Sequence, residues 1–330
     1  MIDPMPYVTW LSKNNRRLKG LSIVMVAALT MLSSCIPGET PEPSRSSGTE
    51  AHLWLVRTST PRAEVSEPEG KATLQEGTPV AGNLPTVWAD CAQKEGQIKR
   101  DQYSSRLLGE HVPVLVYLPP CYSKTQEYPV LFLLHGKPQD ENHWLILGIE
   151  QALNQKIAAG EIGAVILVMP EQPEPLFSQT DGGAGSYEGE FLSMLMPYIE
   201  DQYAVSIRPD DRAIAGISRG GVWALEIAFA NPGRFSGVAA LSPALNVNDA
   251  REAYDPFFLA RNAGDLPGRI FLASGDVDSA AADTERLHEI LEQRGIAHRY
   301  STVPGGHEGG TWVQFVSEMM DYLTQDWQFK

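Results

Sequence analysis

Residues 128–134 read YPVLFLL. A run this apolar and this short is a strand buried on both faces: a half-wet strand alternates, and a buried helix needs more length. The texture returns at 164–168 (AVILV), 213–215, 237–241 (GVAAL) and 269–273 (RIFLA), with 299–303 as a last strand. Between these runs the pattern turns helical. Residues 144–159 stop at Gly160, and 187–203 place Phe191, Leu195 and Ile199 at four-residue spacing, with Pro197 as a kink. Helices are also predicted at 220–230, at 281–294 with Leu287, Ile290 and Leu291 on one face, and at 311–327. Buried strands alternating with helices predict an α/β fold, a doubly wound, mainly parallel sheet with helices on both faces. Two earlier strands, 97–103 and 111–118 (HVPVLVYL), turn around Gly109 and are predicted to form an antiparallel edge.

The front of the chain belongs to no such pattern. Lys13, Arg16, Arg17 and Lys19 form a basic run, followed by an apolar stretch over 21–32 that is short for a membrane span but suits a signal-peptide core. Leu32-Ser33-Ser34-Cys35 follows it and resembles the bacterial lipobox, so residues 1–35 read as a lipoprotein signal peptide with Cys35 acylated. Each buried CH₂ of such a chain holds the protein to a membrane by about 0.8 kcal/mol. Residues 36–85 are dominated by Pro, Glu, Ser, Thr and Gly and read as a disordered tether, too poor in apolar surface to offset the entropy of ordering. His52-Leu53-Trp54-Leu55-Val56 is its one apolar patch and the alternative there is a short docked strand. The folded domain is placed at 86–330.

The expected setting is therefore extracytoplasmic, with the membrane touched through the lipid alone. Disulfides persist there. Of the three cysteines, Cys35 is assigned to lipid, leaving Cys91 and Cys121 as an expected bridge, with two free thiols as the alternative. A formal net charge of −15 repels phosphate backbones and argues against nucleic acid as a partner.

Gly216-Ile217-Ser218-Arg219-Gly220-Gly221 matches G-x-S-x-G and stands between a short apolar strand and a helix, the context in which that motif carries a nucleophile. A tight strand–turn–helix needs small flanking residues and lifts the serine hydroxyl out at the carboxyl edge of the sheet. A serine hydroxyl needs a base, and the base an orienting acid, here in the chain order Ser, acid, His. His52, His111, His135 and His143 precede Ser218. His288 lies within a helix and is expected to face solvent, and His298 sits where a strand begins. His307, in the Gly-rich loop after the last strand, is the expected base. The acid should follow RIFLA, where Ser274-Gly275-Asp276-Val277-Asp278 offers two carboxylates. Asp278 is favoured over Asp276, and the other is expected to cap the helix that starts near Ala280. An oxyanion needs two backbone N–H donors. Arg219, directly after the nucleophile, supplies one, and Lys137 in the loop Leu134-His135-Gly136-Lys137-Pro138 is the expected second, with His135 bracing that loop.

LLHGKPQDENHW, VYLPPCY, GISRGG, SGDVD and GGH, taken together over residues 95–327, resemble the putative-esterase family, which includes feruloyl, acetylxylan and enterochelin esterases, S-formylglutathione hydrolases and mycolyltransferases. The resemblance implies the α/β-hydrolase fold, ester hydrolysis without a cofactor, and nucleophile, acid and base at Ser218, Asp278 and His307. Cys121 and Arg219 depart from the common pattern of the family. Arg219 and the signal peptide both argue against a cytosolic formylglutathione role. The expected substrate is a small-molecule or glycan-linked ester. Two other outcomes stay open on sequence: acyl transfer to an alcohol, and a catalytically silent surface binding protein.

The loops at 171–186 and 246–265 each follow a strand's carboxyl end and should overhang the site. Phe177, Tyr254, Phe257 and Phe258 in them are candidates for an acyl or aryl pocket, the alternative being that they pack the loops. DGGAGSYEG lacks G-x-G-x-x-G spacing and is no dinucleotide loop. His135, Asp140, His143 and His307 carry none of the usual metal-ligand spacings, and no metal is expected.

Overall fold

In a computed structural model the described residues are 92–179, 181–245 and 250–327. The expected signal peptide, tether and docked patch, with Cys35 and Cys91, lie outside them. Among the described residues are eight strands: β1 (Gln97–Ser104), β2 (His111–Leu118), β3 (Val130–Leu134), β4 (Ile166–Pro170), β5 (Arg212–Ile217), β6 (Gly237–Leu241), β7 (Arg269–Gly275) and β8 (Arg299–Val303). They form one sheet in the order β1-β2-β4-β3-β5-β6-β7-β8. β1 pairs antiparallel with β2, and β2 antiparallel with β4, which is the predicted edge. Every other pairing is parallel.

The apolar runs divide their side chains between two cores, because successive strand residues point to opposite faces. Val130, Phe132 and Leu134 of β3 enter one core with Ile214, Val238 and Ile270. Leu131 and Leu133 enter the other with Ala215, Ala239 and Phe271. Among the described residues ten α-helical segments cover these faces: α1 (His143–Ile146), α2 (Ile149–Ala159), α3 (Leu176–Gln179), α4 (Tyr187–Glu190), α5 (Met196–Gln202), α6 (Arg219–Ala230), α7 (Pro256–Asn262), α8 (Ala281–Gln293), α9 (Gly309–Trp312) and α10 (Val316–Thr324). α6 and α8 bury Trp223, Phe229, Leu287 and Leu291 in the first core. α1, α2, α9 and α10 bury Trp144, Leu153, Trp312 and Met319 in the second. Among the described residues no helix is long and apolar enough to cross a membrane.

Three predicted helices are subdivided. The one at 144–159 breaks where Gly148 turns left-handed at φ 80, separating α1 from α2. The one at 187–203 runs from α4 into α5 through a π turn at Phe191–Leu195. Pro197 has no N–H and its ring crowds the preceding turn, and a widened turn just before it absorbs both defects. The one at 311–327 begins as α9, tightens over Val313–Phe315 and resumes as α10. His288 departs from its expected solvent-facing place. It is half-buried on α8, its Nδ1 lies 2.6 Å from His298 Nε2, and its ring stacks on Tyr300.

Candidate active site

Ser218 ends β5 and begins α6 with φ 54 and ψ −119, a backbone conformation that few non-glycine residues adopt. The surroundings enforce it. Ser218 N–H donates to Leu241 O (2.9 Å), and Ser218 O accepts from Ala244 N–H (3.1 Å). Glycine is needed on either side. A Cβ on Gly216 would run into the Gly220 carbonyl, and one on Gly220 would strike the His135 carbonyl and lie 2.7 Å from Leu134 O. These contacts press the first turn of α6 against the end of β3, and the serine stands at the apex between them.

The loops after β7 and β8 bring the other two predicted residues to Ser218. His307 Nε2 lies 2.9 Å from Ser218 Oγ, and His307 Nδ1 lies 2.8 Å from Asp278 Oδ1. An ionised carboxylate only accepts, so Nδ1 carries the proton and Nε2 presents its lone pair to the serine. Burial pushes the Asp278 carboxyl up. Hydrogen bonding from His307, the Ser242 hydroxyl and the Ala280 N–H outweighs this and holds it below the usual carboxylate range. The Ala280 N–H bond to Oδ1 measures 2.7 Å. Oδ2 is buried and makes no hydrogen bond of ordinary length.

Asp276 does not cap the following helix as expected. Asp278 itself takes the Ala280 N–H, while Asp276 Oδ1 accepts from Gly305 N–H (3.0 Å) and Asp276 N–H donates to Val303 O (2.9 Å). Asp276 thus laces the loop that carries His307 to the loop that carries Asp278. Asp278 lies two residues closer to the helix start and accepts the Ala280 N–H, while Asp276 is turned to Gly305.

The loop after β3 passes beside the serine. A Cβ on Gly136 would lie 3.2 Å from Ser218 Cβ, so glycine allows the close approach. His135 braces this loop as expected. Its Nδ1 donates to Gly136 O (2.9 Å), and its Nε2 accepts from Gln172 N–H (3.0 Å). Gln172 Nε2 in turn donates to His135 O (2.8 Å), a clamp from the end of β4 with no local sequence signal. His143 Nδ1 accepts from Gly136 N–H (3.4 Å). Burial, then the neighbouring His135, pushes the His143 imidazole down to about 4, so it stays neutral and able to accept. The Lys137 ammonium reaches outward to Glu174 (3.0 Å) and Ser178 (2.6 Å). The Arg219 guanidinium lies over Trp223, its Nε donating to Phe177 O (3.1 Å).

Two of the four candidate pocket aromatics are packing residues. Phe177 is buried against His135, and Phe257 is buried in the first core. Tyr254 lies against Gly182, and Phe258 is half-buried. Arg251 forms a forked pair with Asp181 at 2.6 and 2.9 Å, joining the segment after β6 to the one after β4. Among the described residues, no group of three or more His, Cys, Asp or Glu side chains is placed to hold a metal ion.

The family described as Putative esterase matches residues 104–323. An esterase of Mycobacterium tuberculosis is 28% identical over 257 residues, covering 62% of this chain and 54% of that protein. An endo-1,4-beta-xylanase/feruloyl esterase of Xylanibacter ruminicola is 26% identical over 238 residues, 69% of this chain and 31% of that protein. The chain thus spans about half the length of the first relative and a third of the second. A solved ferulic acid esterase superposes with a TM-score of 0.63 at 23% identity, over 70% of this chain and 98% of that one. That likeness shows the α/β-hydrolase fold implied by the sequence.

Proposed function

The chain belongs to the putative-esterase family, and on that premise we propose that it is a serine carboxylic-ester hydrolase working through Ser218, His307 and Asp278. The observation that carries the reading is the connected line from Ser218 Oγ to His307 Nε2 (2.9 Å) and from His307 Nδ1 to Asp278 Oδ1 (2.8 Å). Ser218 Oγ attacks the ester carbonyl while His307 Nε2 takes its proton. Asp278 keeps the imidazole in the tautomer that can accept and stabilises the imidazolium that forms. Collapse of the tetrahedral adduct releases the alcohol, which receives the proton from His307, and leaves an acyl-enzyme on Ser218. Water, activated by the same His307, then releases the acid and restores the serine.

The negative charge of each adduct falls to the Arg219 and Lys137 backbone N–H groups. In favour of this are the position of Arg219 at the first turn of α6 and the close approach of Gly136 to Ser218. One such donor is worth about 2.7–4 kcal/mol in the transition state. No cofactor enters these steps.

The substrate is a small-molecule or glycan-linked ester. The feruloyl esterase and xylanase names of the matched proteins favour an acid esterified to a glycan. The reaction takes place outside the cytoplasm, with the chain tethered through acylated Cys35 and residues 36–85. A Cys91–Cys121 bridge belongs to the same setting and finds support in Cys121 being disulfide-bonded. The test is hydrolysis of p-nitrophenyl acetate and butyrate by wild type and Ser218→Ala. A loss of several orders of magnitude in the variant is expected. A folded wild type no faster than Ser218→Ala rules the reading out.

A further inference from the structure

Trp312 and Ser242 stand behind the Ser218–His307–Asp278 line, and each touches it. Trp312, the last residue of α9, is 5% exposed. Its ring meets His307 edge to face, 5.1 Å between centroids at 89°, and meets His143 at 5.6 Å and 82°. Its indole N–H donates to Ser242 Oγ (2.9 Å). Ser242 directly follows β6, is wholly buried, and is held at φ 47, with its N–H donating to Ala273 O (2.7 Å). The hydroxyl is near enough to the Asp278 carboxylate to help hold that carboxyl below its ordinary range.

The direction of the hydrogens follows from the chemistry of the groups. An indole N–H can only donate, so Ser242 Oγ is the acceptor in its bond with Trp312. The hydroxyl's own hydrogen is then left for another acceptor, and the anion beside it is Asp278. Oδ1 of that carboxylate already serves His307 and Ala280, while Oδ2 is buried without a partner at ordinary length. A left-handed backbone on a non-glycine residue is a cost that persists only where its surroundings over-determine it. Here it holds the hydroxyl within reach of the indole N–H.

We infer that Ser242 and Trp312 are positioning residues for the proposed hydrolysis. The donor chain Trp312 to Ser242 to Asp278 keeps the acid ionised and aimed, while the Trp312 ring walls the imidazole that the acid holds. The inference rests on the assignment of Asp278 and His307 as acid and base. When the imidazolium forms, its counter-ion is already fixed by donors that need not reorganise.

The test compares Ser242→Ala, Ser242→Gly, Trp312→Phe and the double variant Ser242→Gly/Trp312→Phe with wild type and Ser218→Ala, all as the full chain. Glycine suits the left-handed backbone, so Ser242→Gly removes the hydroxyl and relieves the strain, and a folded protein is secured even where Ser242→Ala fails. Two rates are read across pH: p-nitrophenyl butyrate turnover, and phosphonylation of Ser218 by a fluorophosphonate, which requires no matching ester. In Ser242→Gly we expect kcat and the labelling rate to fall about 10- to 100-fold with KM little changed. The acid limb of the profile should move to higher pH, because a carboxylate stripped of a donor holds its imidazolium more strongly. The double variant should equal Ser242→Gly, since a chain broken once is not broken twice. Wild-type rates and pH profile in Ser242→Gly overturn the inference. Slowed labelling in Ser242→Gly with no ester turnover by wild type upholds the positioning role and removes the ester reading. Turnover that depends on Ser218 but not on Ser242 does the reverse.

Discussion

Gly220→Ala is the substitution by which the geometry of the nucleophile turn is best judged. A Cβ at this position would lie 2.7 Å from Leu134 O and 2.9 Å from Leu134 C, and closer still to His135 O. These are backbone atoms at the end of β3, and they cannot rotate out of the way. A carbon needs about 3.5 Å from such neighbours, so α6 and the loop after β3 must separate by about 1 Å. That separation opens the gap in which Ser218 and the loop after β3 face each other. A misplacement of about 1 Å at reacting groups costs about 100-fold in rate. Overpacking of this kind costs about 1–3 kcal/mol of stability, a fall of about 2–4 °C in Tm per kcal/mol. Gly221 is the control. A Cβ there would meet Gly216 O at 3.2 Å and Pro243 at 3.3 Å, contacts that a few tenths of an ångström relieve. Ester hydrolysis and thermal unfolding of both variants decide the matter. We expect kcat/KM about 100-fold lower in Gly220→Ala and less than about tenfold lower in Gly221→Ala. Equal activity in the two, or wild-type activity in Gly220→Ala, refutes the argument that this contact sets the site.

Asp278→Asn is expected to lower kcat by about three to four orders of magnitude, since the amide no longer fixes the His307 tautomer. Asp276→Ala, which frees only the Gly305 N–H, is expected to lower it by about tenfold, and steady-state kinetics on the two variants separates the roles. Glu190, wholly buried on α4, supplies a pH test of the fold itself. Burial pushes its carboxyl above the ordinary range, and the neighbouring Ser105 and Tyr103 hydroxyls only partly offset this. A raised carboxyl opposes folding once ionised, so the cost is absent below the ordinary carboxylate range and grows as pH rises through the folded value. Glu190→Gln should therefore raise Tm by about 2–4 °C at pH 8 and leave it unchanged at pH 4, as read by thermal unfolding across pH.

Much of the site was legible because its parts carry local signals. The turn at Ser218 is written in Gly216, Ser218 and Gly220, whose spacing reports a backbone approach that side chains would block. His307 and Asp278 could be named from chain order, since a parallel sheet brings every strand's carboxyl end to one edge. Choosing Asp278 over Asp276 was a closer matter. Both follow β7, and the choice turns on which carboxylate the imidazole meets in space.

Gln172, Ser242, Trp312 and the neutral His143 gave no such signal. Gln172 lies thirty-seven positions from the histidine it clamps, and Trp312 seventy from the serine it bonds. Phe177 and Phe257 stay open between pocket and packing on sequence, because an aromatic side chain in a loop suits either, and burial alone distinguishes the two.

The sequence by itself determined the strands, the longer helices that cover them though not their breaks or the short α3 and α7, the direction of the sheet and the chain order of Ser218, Asp278 and His307. Each of these follows from the period of apolar side chains or from a backbone that only glycine permits, and both act within a few positions of the chain. The tertiary structure alone decided what stands behind the reactive residues. A hydrogen bond between distant segments depends on distance and angle, to within fractions of an ångström, after both cores have packed, and no local pattern of residues encodes that.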